Sequence, residues 1–146
     1  MKLPQTIITV AVFVAIGVSS RADRAPVVHY ASAENLEHID VEIIDRARRE
    51  IDFAAYVLTD WPIMLALTRA ADRGVKVRIY LDRTRLAERE PARVFQDLAQ
   101  TPGVEIRTKR SHGAPMHLKC YQIDGRLLRT GAANFSASGE KQSSRD

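Results

Sequence analysis

Between Met116 and Ser136 the chain carries His117, Lys119, Asp124, Gly131 and Asn134 in the spacing H-x-K-x4-D-x6-G-x-x-N. No other stretch puts so many chemically capable side chains so close together. The set suits chemistry on a phosphate ester. Lysine and asparagine donate hydrogen bonds to non-bridging oxygens, where negative charge builds up in the transition state. A neutral imidazole attacks phosphorus as a nucleophile, or transfers a proton near pH 7. No carboxylate cluster and no His/Cys set with metal-ligand spacing accompanies them. The single cysteine, Cys120, excludes an internal disulfide and a multi-cysteine metal site. The expectation is a mechanism without metal or cofactor. Each residue also has a plain structural use, since a lone histidine is more often structural than catalytic and aspartate before glycine is what a turn wants. Only the joint spacing lifts the functional reading.

These side chains need a scaffold. On a strand from His117 to Ile123, side chains alternate, so His117, Lys119, Tyr121 and Ile123 share one face and Leu118, Cys120 and Gln122 the other. Asp124-Gly125 is a two-residue hairpin signal, and Arg126 to Thr130 is the returning strand. The hairpin brings Gly131 to Asn134 back beside the histidine. Upstream, Val27 to Tyr30 reads as a short first strand. Ser32 can cap a helix from Ala33 to Glu50, with Arg46, Arg48 and Arg49 towards its last turn and suited to its dipole. Ile51 to Leu58 suits a buried strand. Thr59 or Asp60 caps a second helix with Pro62 in its first turn, and Gly74 closes it. Val75 to Leu81 alternates cleanly as a strand. A third helix covers Pro91 to Gln100, Pro102-Gly103 turns into a strand from Val104 to Thr108, and Lys109 to Pro115 is a basic loop. After Asn134 the remaining residues are polar, and neither helix nor strand is expected among them. This order predicts a single α/β domain, a mixed, largely parallel β-sheet flanked by helices.

The first residues stand apart. Lys2 precedes Thr6 to Val18, apolar but for its threonines and Gly17, and Ser20-Arg21-Ala22 offers small residues where a signal peptidase reads. Residues 1–22 are therefore expected to be a cleaved secretory signal, with an uncleaved anchor as the rival, and residues 23–146 the domain. The full chain has 22 Lys and Arg against 18 Asp and Glu; losing Lys2 and Arg21 leaves 20 against 18. A net charge near +2 excludes an argument for nucleic-acid binding from bulk charge alone. Export without disulfides points to a bacterial periplasm or to secretion.

The segment around His117 resembles the HKD motif of the phospholipase D superfamily, in its small bacterial nuclease branch. Val28-His29-Tyr30, the run from Ile51 to Leu58, Arg73 to Val77, and Asn134-Phe135-Ser136 fall in matching order. The resemblance implies a two-step phosphodiester transfer without metal. His117 would form a phosphohistidine, Lys119 and Asn134 would bind phosphate oxygens, and Asp124 would orient the site or support the partner histidine. Two such motifs meet in one active site in this family, and this chain has one, so a symmetric homodimer is implied. Two departures stand out. Ala132 replaces a frequent serine, removing a hydroxyl donor. Members of the branch also continue past the position of Asp146 with a strand and a helix, so a truncated C-terminus is expected, with Asp146 as a stand-in for an acidic residue that supports the histidine.

Two substrate classes fit, nucleic acid and phospholipid. Arg107, Lys109, Arg110 and His112 precede His117 and could form a basic rim guiding DNA or RNA; their plain reading is a solvated loop. No amphipathic helix with exposed tryptophan suggests lipid binding, because Trp61 stands at a helix start where packing is expected. The reading is a non-specific endonuclease, with a phospholipid hydrolase as alternative. A non-catalytic phosphate or nucleic-acid binder is a third reading from another class.

Overall fold

The computed structural model describes residues 25–31, 33–82, 93–110 and 113–141, with the side chains of residues 140 and 141 left out. Among the described residues, five strands and four helices follow in the order α1 (Leu36–Asp45), β1 (Glu50–Ala55), α2 (Trp61–Asp72), β2 (Lys76–Leu81), α3 (Arg93–Gln100), β3 (Val104–Thr108), β4 (Lys119–Ile123), β5 (Leu127–Thr130) and α4 (Ala137–Lys141). The strands form one open sheet in the order β3-β2-β1-β4-β5. β1 pairs in parallel with β2, and β2 with β3, whereas β4 runs antiparallel to both β1 and β5. The sheet is mixed, as expected, but the parallel share is confined to three strands.

One sheet face is apolar by alternation. Ile51, Phe53 and Ala55 of β1, Val77, Ile79 and Leu81 of β2, and Tyr121 and Ile123 of β4 pack there against Ile44, Ile63, Leu67, Ala70 and Leu98 of the helices. The opposite face is polar, with Arg78 bridging Glu50 and Asp52, and Gln122 donating to Asp52. The guanidinium beside Asp52 holds its carboxyl below the usual range.

Several expectations are corrected. Val27 to Tyr30 is no strand: it has no sheet neighbour among the described residues, and Val27 is 78% exposed. α1 is capped by Asn35, whose side chain accepts from the His38 N–H, and it ends at Asp45 rather than Glu50. The cause lies far along the chain, because the N–H groups of Arg48, Arg49 and Glu50 donate to the Asp124 carboxylate instead of continuing the helix. The arginines thus fall beyond the helix rather than in its last turn. A short helix, α4, does follow Asn134. Trp61 does not pack: it is 59% exposed at the start of α2. α2 itself follows expectation, with Asp60 accepting from the Ile63 N–H and Gly74 beyond its end at φ +86°.

Candidate active site

The C-terminal ends of β1, β2 and β3, the start of β4 and the end of β5 share one edge of the sheet. His117 stands there, two residues before β4, so it lies on the loop rather than on the strand and is exposed. Lys119, first residue of β4, faces the core side and is only 7% exposed. Its ammonium lies 3.1 Å from His117 Nδ1 and 3.2 Å from Nε2, and donates to the His117 carbonyl at 3.1 Å. Burial pushes the Lys119 amine below the usual lysine range.

The loop after β1 joins the two halves of the site. The Tyr56 N–H donates to the Leu118 carbonyl, while the N–H groups of Thr59 and Asp60 donate to the Phe135 carbonyl. Leu58 and Phe135 form an isolated parallel bridge. Asn134 is therefore held one residue from the backbone that also holds His117. The Tyr56 ring meets the imidazole edge-on at 4.5 Å, with the Lys119 ammonium 5.4 Å from its centroid. Asp82, buried at the end of β2, accepts the Met116 N–H at 2.8 Å and so fixes the approach to His117. Asn134 Oδ1 is buried with no hydrogen-bond partner among the described residues. A buried acceptor left unsatisfied is costly, and a hydrogen-bond donor reaching it would relieve it.

The structure thus brings His117 and Lys119 together and anchors Asn134 to the same loop. It does not bring Asp124 there. Asp124 lies beyond the far end of β4, seven residues and up to about 23 Å from His117 at roughly 3.3 Å per residue of extended chain. Burial raises its carboxyl, but the backbone donors Glu50, Arg49 and Arg48 outweigh burial and leave it below the usual range. In this structure Asp124 ties the hairpin turn to the start of β1, and the expected role of orienting a histidine is not one its position allows within the chain. Arg110 is exposed in the loop after β3, Lys109 is half-buried beside it, and Arg107 donates to Glu105. Ala132 and Gly131 are exposed. His112 and Asp146 lie outside the described residues. Among the described residues no group of three or more His, Cys, Asp or Glu could hold a metal ion.

Sequence reasoning missed Tyr56, Asp82, Arg129 and Gly139. Arg129 reaches Asp40 of α1 through a forked pair. Gly139 of α4 lies against the Asn134 backbone so closely that a Cβ there would stand 2.3 Å from the Asn134 carbonyl oxygen. The short spacing of Gly139 from Asn134 was a signal for the last of these; the others join residues far apart in sequence.

This fold and edge site define an open-sheet α/β protein whose histidine–lysine pair stands at the strand ends. Residues 41–144 match the family model described as cardiolipin synthase, PLD-like domain. The chain belongs to the phospholipase D-like family. It is 34% identical over 106 residues to phospholipase D of Rickettsia conorii, covering 68% of this chain and 48% of that protein. It is 36% identical over 101 residues to phospholipase D of Rickettsia bellii, covering 68% and 47%. The chain spans about half the length of the curated relatives it matches. Among solved structures it resembles a phospholipase D family member, Nuc from Salmonella typhimurium, with a TM-score of 0.60 and 28% identity over 73% of this chain and 68% of that one. It also shares the fold of NucT from Helicobacter pylori, with a TM-score of 0.64 and 23% identity over 73% and 70%.

Proposed function

We propose that this chain is a metal-independent phosphodiesterase acting through a phosphohistidine on His117, with a nucleic-acid backbone as substrate. The observation that carries the reading is the buried Lys119 ammonium, 3.1 Å from the exposed imidazole of His117. An exposed imidazole can reach a polymer, and a cation held against it draws a phosphate to the same place. In the first step an imidazole nitrogen forms a bond to phosphorus as one P–O ester bond breaks. The departing oxygen takes a proton from the His117 of a second copy. In the second step water attacks phosphorus, the P–N bond breaks, and the proton of the water returns to that second histidine. Lys119 and Asn134 hold the non-bridging oxygens throughout. The second histidine makes a homodimer part of the proposal. Residues 1–22 are proposed as a signal directing the protein to the periplasm or outside the cell.

The basic residues Lys109 and Arg110, at the same sheet edge, favour nucleic acid. A second reading has its own observation: Trp61 and Leu65, one turn apart on α2, are 59% and 47% exposed and would suit a lipid surface. Cleavage of DNA in EDTA by the purified protein, beside His117→Ala and beside phospholipid vesicles, separates these. Wild type is expected to cut DNA in chelator, the variant to lose about 1,000-fold or more, and the vesicles to remain intact. DNA bound but left uncut by both proteins would leave only a binding protein.

A further inference from the structure

Beneath the site lies a buried ion pair that the chemistry above does not use. Asp40 of α1 is 2% exposed, and both of its oxygens are occupied. Oδ1 accepts from the Tyr121 hydroxyl at 2.6 Å and from Arg129 Nε at 3.1 Å, and Oδ2 from Arg129 Nη2 at 2.7 Å. The fork fixes the plane of the guanidinium. That plane sits 4.6 Å from the Phe135 ring centroid and 5.9 Å from that of Tyr121. Arg129 Nη1 faces the Lys119 carbonyl at 3.4 Å and is also the atom nearest to where a Cβ on Gly131 would stand, at 3.5 Å. One rigid cation therefore touches the backbone of Lys119, the start of the Gly131–Asn134 segment, and the ring that follows Asn134.

We propose that Arg129 is a positioning residue, locked by Asp40, that sets the spacing between Lys119 and Asn134. The proposal rests on the phosphodiesterase reading, in which those two residues grip one phosphate. A buried ion pair is a poor way to stabilise a fold, since apolar residues of similar volume often do as well or better. What the pair supplies is a fixed geometry: a planar group with set contacts on five sides, where an aliphatic chain would settle among several rotamers. Donors misplaced by an ångström lose much of their hold on a transition state.

The test separates geometry from stability. The triple variant Asp40→Leu/Tyr121→Phe/Arg129→Met replaces the carboxylate and both of the side chains that donate to it with apolar groups, so that neither Asp40 nor Arg129 is left as a buried charge without the other. It is expected to unfold at or above the wild-type temperature. Its kcat on a chromogenic phosphodiester is nonetheless expected to fall roughly ten- to a hundredfold, with KM changed less than about threefold. Orthovanadate binding, measured by calorimetry, is expected to weaken in parallel. Should the triple variant not fold, Arg129→Lys keeps the charge and loses the fork, and the same kcat loss is expected of it. A folded variant with wild-type kcat and vanadate affinity overturns the positioning role. A wild-type protein that neither cleaves the ester nor binds vanadate overturns the phosphodiesterase reading instead, and the proposal falls with it.

Discussion

His117 and Lys119 differ in exposure: the imidazole faces solvent and the ammonium is buried against it. Because burial favours the neutral amine, the Lys119 pKa in the folded chain lies below the unfolded value. The burial penalty is then present below the folded pKa and relieved as pH rises through it, while the charge that the proposed phosphate contact needs is lost over the same window. Activity should fall on the alkaline side with a midpoint below the ordinary lysine value of about 10.4; a pH–rate profile with its limb at or above that value would count against Lys119 as the phosphate-binding cation. Asp124 behaves oppositely. Its folded pKa is depressed, so its contribution is present above the unfolded carboxylate value and lost as pH falls through the folded one. Asp124→Asn keeps a residue that tolerates φ +56° but gives up charge-assisted bonds. It should cost about 1 kcal/mol near neutral pH, with the two proteins converging in acid. Denaturant melts across pH check this. Cleavage by the folded variant should be near wild type, and a loss as large as that of His117→Ala would return Asp124 to the active site.

At the scale of elements, the site depends on how α4 meets the loop after β5. Ser136 accepts the Gly139 N–H at the start of α4, and Gly139 lies on the Asn134 backbone. A methyl group at 2.3 Å from the Asn134 oxygen and 2.9 Å from its nitrogen has no room. Gly139→Ala should therefore displace Asn134, costing about 1–3 kcal/mol in stability and lowering kcat further than Ala137→Ser, an exposed control on the same helix. Equal activity of the two variants would show that Asn134 tolerates the shift. The elements legible in sequence were those whose own pattern met their environment: β2 alternates because one face is buried, and Asp124-Gly125 turned the chain where both residues adopt positive φ. Illegible were features decided by distant partners. α1 stops short of Glu50 because Asp124 takes the N–H groups of Arg48, Arg49 and Glu50, Val27 to Tyr30 lacks a neighbour to pair with among the described residues, and Asp40 meets Arg129 across 89 positions. Of the site, the histidine–lysine pair was legible because two residues of near-extended chain bring their side chains together. Asp124 stands in the expected turn, and its contacts with the start of β1 were illegible because they join residues more than 70 positions apart.

For the whole molecule, the edge position of His117 leaves the imidazole open to solvent, and the proposed mechanism needs a second one opposite it. Leu118, next to it, is 53% exposed, an apolar side chain left at the mouth of the site. Specific activity should consequently fall on dilution, in step with dimer dissociation followed by light scattering after size exclusion. A monomer with undiminished activity would remove the shared site. Family membership supplies the precedent for phosphodiester chemistry, and the chain's own residues supply the parts.

The central claim is a covalent bond between His117 and phosphorus. The direct measurement is to mix the protein with internally ³²P-labelled DNA, quench within the first turnover, and locate the label. We expect label on a peptide containing His117, stable to alkali and released by acid as a phosphoramidate is, and absent from His117→Ala. DNA cut in full with no labelled protein at any quench time, or label retained by the variant, would contradict the account.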